Sequence, residues 1–202
     1  MGLISNGTTI FDAGAMASGF GGSMTFISKF TSDGSDDTAT FASGINSTYK
    51  EYIFMLNNIH SQSDDIMLTV NFRDGGSSYD APKTTTFFWA YHDEADTQTA
   101  LGYVTGSDVA QGTGVQYLGN LGNDADQSYS GYLHLFNPSS TTFVKHFISR
   151  GNWSSSGDFC SNSYVAGYCN TTSAINAIQF KMNNGGSDQN TDSGDICLYG
   201  IS

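Results

Sequence analysis

Short runs of alternating apolar and polar residues recur along the chain, and this feature limits its fold more than any other. In Ile66–Phe72, the side chains of Ile66, Leu68, Val70 and Phe72 would point to one side and the three residues between them to the other. A period of two is that of a β-strand with one buried face. The turn signal RDGG follows directly. The run therefore predicts a half-buried strand that ends in a tight turn.

Residues that favour helices are scarce, whereas residues that suit strands are common. The 202-residue chain has two Glu, Glu51 and Glu94, but 14 Phe, 11 Tyr and 24 Gly. Aromatic side chains bury a large area each, so a modest number of them can fill a core. With turn signals between most runs, the sequence predicts an all-β fold, an antiparallel and jelly-roll-like β-sandwich of about ten strands.

The domain organisation follows from where the alternation begins. Residues 1–23 are small and Gly-rich and cannot bury a face of their own, so we expect an extended N-terminal arm there. Residues 24–202 would then form a single sandwich domain, and the polar segment NNGGSDQNTDSGD near the end would be a loop. The N-terminus has no signal-peptide pattern, so we expect synthesis in a cytoplasm without export by the usual route.

The charge of the chain excludes two classes of partner. The formal net charge is −12, with only seven Lys and Arg residues, and these are scattered. Phosphate recognition needs clustered cations, so we expect no binding to nucleic acid and none to an anionic membrane. Three cysteines, Cys160, Cys169 and Cys197, match no metal-ligand spacing. We expect buried free thiols, and pairing of Cys160 with Cys169 is the alternative.

No arrangement of residues predicts an enzyme. G-x-S-x-G and H-E-x-x-H are absent, and two Glu residues are few for a glycosidase. His134 and His146 lie within strands and are expected to face solvent or a neighbouring subunit. The polar cluster Tyr91–Asp96 could bind a metal or serve as a solvated loop, and we favour the loop. No cofactor is predicted; calcium held by Asp-rich loops at 33–37 and 123–126 is an alternative without a matching motif.

Exposed aromatic side chains are the candidates for contact with glycans. Trp153 lies in a Gly-, Ser- and Asn-rich stretch, RGNWSSSGD, which predicts a turn and therefore an exposed indole. Tyr91 and His92 lie at the end of a predicted strand, Thr84–Tyr91, and are further candidates. Trp89, in the middle of that strand, is expected to lie in the core.

Several segments together resemble a family of small structural proteins of tailed bacteriophages, especially those that infect marine and freshwater bacteria. The segments are LISNGTTIFDAG, KTTTFFWAYHDEADTQTALGY, GYLHLFNPSSTTFVKHFISR, AGYCNTTSAINAIQFKM and GDICLYGI. The resemblance spans nearly the whole chain and rests on strand and turn segments. Members of the family are described as virion structural, capsid-decorating or tail-fibre-like proteins. The resemblance implies localisation in the virion after assembly in the host cytoplasm, and it brings no catalytic residues.

From this setting we expect a surface structural protein that decorates or cements the capsid. The expected partners are other virion proteins and further copies of the chain, a homo-oligomer such as a trimer. The alternative is a tail-fibre or appendage protein that binds host surface glycans, and a carbohydrate-active enzyme ranks last. We hypothesise that the arm, residues 2–22, docks on the particle or a sister subunit. Its apolar candidates for docking are Leu3, Ile4, Ile10, Phe11, Met16 and Phe20.

Overall fold

The computed structural model describes residues 3–6, 8–12, 15–16, 23–184 and 186–202. Every regular element in these residues is a β-strand. The strands are β1 (Leu3–Ser5), β2 (Thr8–Asp12), β3 (Ala15–Met16), β4 (Met24–Thr31), β5 (Thr38–Phe41), β6 (Glu51–Ser61), β7 (Ile66–Arg73), β8 (Lys83–Asp93), β9 (Thr99–Tyr103), β10 (Gln116–Leu121), β11 (Tyr129–Phe136), β12 (Lys145–Ser154), β13 (Phe159–Cys169), β14 (Ala177–Asn184), β15 (Ser187–Gln189) and β16 (Thr191–Ile201).

Two antiparallel sheets form the domain, and they confirm the predicted β-sandwich. The large sheet has eight strands in the order β4-β16-β6-β11-β12-β13-β8-β9. The small sheet has five: β10, β7 and β14 lie side by side, and both β5 and β15 pair with the other edge of β14. Thirteen strands stand where about ten were expected, in sheets of unequal width. The prediction of a polar loop after Met182 is wrong, since this segment contains β15 and the start of β16.

The core lies between the two sheets and follows the predicted alternation. On β6, Tyr52, Phe54 and Leu56 are buried, and on the facing β7 so are Ile66, Leu68, Val70 and Phe72. Ring pairs lock the layers together, with Phe72 and Phe147 centroids 4.7 Å apart and those of Phe41 and Phe54 5.2 Å apart. These contacts supply most of the driving force for folding, because buried apolar area dominates it.

The other side of β7 is buried as well, which the alternation did not predict. Thr69 and Asn71 are nearly inaccessible. Thr69 donates its hydroxyl hydrogen to the carbonyl of Lys181 at 3.1 Å, and Asn71 donates its amide to the carbonyl of Thr113 at 3.0 Å. Both polar groups are therefore satisfied by backbone oxygens, as burial requires.

The N-terminal segment holds a third, small sheet. The strands β1, β2 and β3 pair in that order, all antiparallel. The segment expected to be an extended arm thus contains two reversals of direction. Among the docking candidates, Ile4 is exposed, and Phe20 lies outside the described residues. Docking by this segment stays a prediction.

Candidate functional site

The inward side of β8 is only partly covered, and the uncovered part forms a cavity. The small sheet ends at β10, which packs over β12 and the margin of β13. Beyond that edge, Trp89 and Tyr91 point inward but remain half-buried. The cavity has a volume of about 350 Å³, within the range of small-molecule sites, roughly 300–1,000 Å³. We call it the aromatic cavity.

Four aromatic rings form its apolar surface: Trp89, Tyr91, Trp153 and Phe159. The centroids of Trp89 and Trp153 lie 6.1 Å apart with nearly parallel planes, 26° from each other. Tyr91 meets Trp89 edge-on at 5.2 Å and Phe159 edge-on at 5.3 Å. Such offset and edge-to-face pairs hold the rings in fixed positions.

Trp153 is the floor of the cavity, and its position is fixed from below. Tyr129 stacks against it with centroids 6.4 Å apart, and full burial raises the pKa of Tyr129 to about 12. Gly119 on β10 lies directly against the indole, because a Cβ there would come within 3.0 Å of Trp153 Cε3. A glycine at this position lets the two sheets approach closely.

Polar groups line the rim on the side of the small sheet. Asp65 precedes β7 in a left-handed conformation, with φ of 56°. Its Oδ1 accepts hydrogen bonds from the Ser156 hydroxyl at 2.7 Å and from Asn120 Nδ2 at 3.4 Å. Both residues line the cavity, and within the described part of the chain Asp65 Oδ2 and Asn120 Oδ1 accept no hydrogen bond, so both have acceptor capacity left.

The structure brings two of the three residues predicted for glycan contact, Tyr91 and Trp153, to the aromatic cavity and separates His92 from them. Tyr91 lines the aromatic cavity. Trp153 was wrongly placed in an exposed turn: β12 continues through Ser154, and strict alternation turns the indole inward, where it is 1% exposed. His92 points to the opposite side of β8, bonds to Asp96 at 2.9 Å and does not line the cavity. Trp89, expected in the core, is instead the half-buried wall.

The other inward end of β8 carries a buried cationic cluster that the sequence did not reveal. Lys83, Cys169 and Lys145 are directly paired across β8, β13 and β12, and all three are inaccessible. Lys83 Nζ donates to the carbonyl of Gly114 at 2.6 Å, and Lys145 Nζ donates to that of Thr171 at 2.9 Å. Burial lowers the pKa of Lys83 to about 8 and raises that of Cys169 to about 12. A protonated thiol and carbonyl-bonded amines indicate a structural role.

The cysteines are free, as expected, but only Cys169 is buried; Cys160 is exposed and Cys197 is partly exposed.

The two histidines that lie within predicted strands, His134 and His146, are on the same side of the large sheet. His134 lies within 2.9 Å of the Glu51 carboxylate on the side of the large sheet that faces away from the small sheet. His146 lies beside Tyr168 on the same side.

We call that side of the large sheet the outer face, and it is unusually apolar for a surface. Phe88 and Ile148 are 40% and 47% exposed there. One row of directly paired residues crosses all eight strands: Tyr103, Phe88, Tyr164, Arg150, Tyr132, Met55, Cys197 and Lys29. The adjacent row contains Thr86, Ala166, Ile148, His134, Ile53, Tyr199 and Phe26.

The described residues contain neither a metal-binding cluster of side chains nor a helix suited to a membrane span. No group of three His, Cys, Asp or Glu side chains there is placed to hold a metal ion. In the same residues, no helix has the length and apolar character that a membrane span requires. In the acidic loop at 33–37, the Asp33 carboxylate accepts from the amide and the hydroxyl of Ser35, which closes a local turn.

Comparison with protein-family models, with curated proteins and with solved structures gave no match. Fold and site therefore define the chain by class alone: a two-sheet antiparallel β-sandwich with an apolar outer face and an aromatic cavity at the edge of its core.

Proposed function

We propose that the chain is a structural protein of a bacteriophage particle, which decorates or cements the capsid surface as a homo-oligomer. The apolar outer face is the observation that carries the proposal. Large exposed apolar patches on a protein surface mark sites of association, and a decorating protein must contact its own copies or its support over a broad area.

The size of the outer face suits an interface between proteins. Its longest row spans eight strands, roughly 34 Å at the usual spacing between strands. A third set of residues, Tyr168, His146, Phe136 and Ile201, lies one step further along the strands. Three rows extend over roughly 14 Å along the strands, so they supply more than half of the ~800 Å² that each partner buries in a typical stable interface.

The distribution of charge favours a second copy of the chain as the occupant. On the exposed side of these strands, the cations Lys29 and Arg150 stand against three carboxylates, Glu51, Asp192 and Asp195, so this part of the surface is nearly neutral while the whole chain carries −12. Asp195 is bonded to Lys29 at 3.2 Å, and Arg150 lies 4.8 Å above the Tyr164 ring. Like charges repel when copies meet through the acidic parts of the surface, and the outer face avoids that penalty.

The position in the particle is tested by counting copies. Quantitative mass spectrometry of purified phage particles should find the chain at hundreds of copies per virion, as a capsid lattice requires. A few dozen copies would instead place it in an appendage, the alternative that the aromatic cavity favours because it could hold a host glycan. Absence from particles would overturn the virion proposal.

The interface is tested on the purified protein. Ile148→Asp puts a carboxylate in the middle of the outer face, and sedimentation velocity should show an oligomer for the native chain and a monomer for the variant. Val115→Asp is the matched control: Val115 is 41% exposed but precedes β10, away from the outer face. A native monomer, or an equal effect of both variants, would contradict assembly through this face.

A further inference from the structure

The aromatic cavity has a ligand chemistry of its own, independent of where the protein sits in a particle. We propose that it binds a neutral hexose unit of a glycan, with the sugar ring against Trp89 and Tyr91 and sugar hydroxyls donating to Asp65 and Asn120.

The surfaces of the cavity match the two surfaces of a pyranose. One side of such a ring is a patch of C–H groups, which carry partial positive charge and pack on the electron-rich face of an aromatic ring. Its edge carries hydroxyl groups that need hydrogen-bond partners when they leave water. Trp89 and Tyr91, from the large sheet, supply the first surface, and the Asp65 carboxylate with the Asn120 amide, from the side of the small sheet, supplies the second.

The charge of the cavity selects neutral sugars over anionic ones. Among the described residues, no Lys, Arg or His lines it, and Asp65 adds a negative charge at the rim. A sialic acid or a sulfated sugar would bring a second anion beside that carboxylate without a cation to compensate. The net charge of −12 adds to the repulsion.

The site is also ordered before any ligand arrives, which lowers the entropic cost of binding. Trp153 is held by Tyr129 stacking and by its contact with Gly119. The hydrogen bond from the Ser156 hydroxyl holds Asp65 Oδ1, while Oδ2 keeps its capacity to accept a hydrogen bond from a ligand. The sugar therefore meets a preformed surface.

Intrinsic fluorescence gives a direct test, because both tryptophans of the chain line this cavity. Purified full-length protein is titrated with neutral oligosaccharides that contain glucose, galactose, mannose or N-acetylglucosamine, and with sialylated and sulfated ones. At least one neutral glycan should give a saturable change in emission, and the anionic glycans should give none.

Variants locate the binding. Tyr91→Ala should lower the affinity at least about tenfold, the loss typical of an aromatic anchor. Asn120→Ala should weaken binding without removing a packed ring, so it remains informative if Tyr91→Ala folds poorly by circular dichroism. His92→Ala is the matched control: it alters the next residue of β8, on the outer face, and should leave the affinity unchanged.

Three results would overturn the proposal: no response to any neutral glycan, a response to anionic glycans only, or native affinity in both cavity variants. Each would leave the proposed structural role intact, because particle incorporation is measured separately.

Discussion

The two ends of β8 place similar alternating side chains in very different surroundings. At one end, Lys83 and Phe87 are fully buried. The segment that follows β9 runs along this half of the strand, with backbone hydrogen bonds from Thr85 to Val109 and from Lys83 to Gly112. At the other end, Trp89 and Tyr91 also point inward but stay half in water, because neither the small sheet nor that segment covers them.

The difference shows that alternation determines the side to which a side chain points, whereas the width of the small sheet determines how deeply that side chain is buried. The residues of a strand in the large sheet do not indicate where the small sheet ends. We call the end of β8 at Lys83 and Phe87 the closed end. It tolerates the buried lysines Lys83 and Lys145 because backbone carbonyls accept hydrogen bonds from their amines. We call the end at Trp89 and Tyr91 the open end. Its large aromatic rings remain partly exposed and so lose part of the free energy of burial, which is characteristic of a binding surface.

The largest expected effect contrasts two neighbouring inward side chains of this strand. Phe87 is fully buried, and its ring lies 4.9 Å from that of Tyr117. Phe87→Ala should lower the free energy of unfolding by about 3–5 kcal/mol. Trp89→Ala should cost less although it removes a larger ring, because part of the indole is already hydrated. Urea unfolding followed by circular dichroism measures both, and an equal or larger loss for Trp89→Ala would contradict the open end.

Much of the fold could be predicted from the sequence, because strand direction and turns are local properties. The predicted strand Thr84–Tyr91 lies within β8, and the inward set of β7 was right. The errors have a common cause. The stretch RGNW resembled a turn, yet Arg150–Trp153 pairs with β11 and β13 on both sides, and these partners override local preference.

The candidate site could be predicted only in part, for a related reason. Tyr91 was predicted as a glycan contact at the end of a predicted strand, and it lines the cavity; its contact with a glycan stays a prediction. Asp65 and Asn120 were missed because they join the cavity only when β7 and β10 stack over the large sheet, a contact between distant parts of the chain. Neither residue belongs to a motif that would have marked it.

The closed end should also give the protein an unusual response to alkaline pH. Burial lowers the pKa of Lys83 to about 8, below its ordinary value of 10.5. Between these values the unfolded chain holds a proton that the folded chain has released, so the contribution of Lys83 to stability rises with pH. Burial raises the pKa of Cys169 to about 12, which acts in the opposite direction above its ordinary value of 9.0.

Comparison with the variant Lys83→Met separates the contribution of Lys83 to the pH dependence of stability from that of Cys169. The free energy of unfolding of the native chain, relative to this variant, should increase from pH 8 to about 10. Denaturant titrations at a series of pH values measure the difference. If it stays constant over this range, Lys83 is not desolvated in the folded protein, and the closed end is more open than its burial indicates.

The smallest effect is expected at the far end of the same strand, in acid. The Asp93 carboxylate accepts from the hydroxyl and amide of Thr97 and from the amide of Gln98 at 2.7 Å, which closes the loop next to the aromatic cavity. These hydrogen bonds hold the pKa of Asp93 below its ordinary value.

The stability that Asp93 contributes is therefore present at neutral pH and is lost as the pH falls through its lowered pKa. Asp93→Asn should be less stable than the native chain at pH 7, and the difference should vanish in strong acid. Asp96→Asn, in the same loop, is the control, since that exposed carboxylate bonds only to His92 among the described residues and such surface pairs contribute little. A difference for Asp93→Asn that does not change with pH would show that the loop depends on the shape of the side chain and not on its charge.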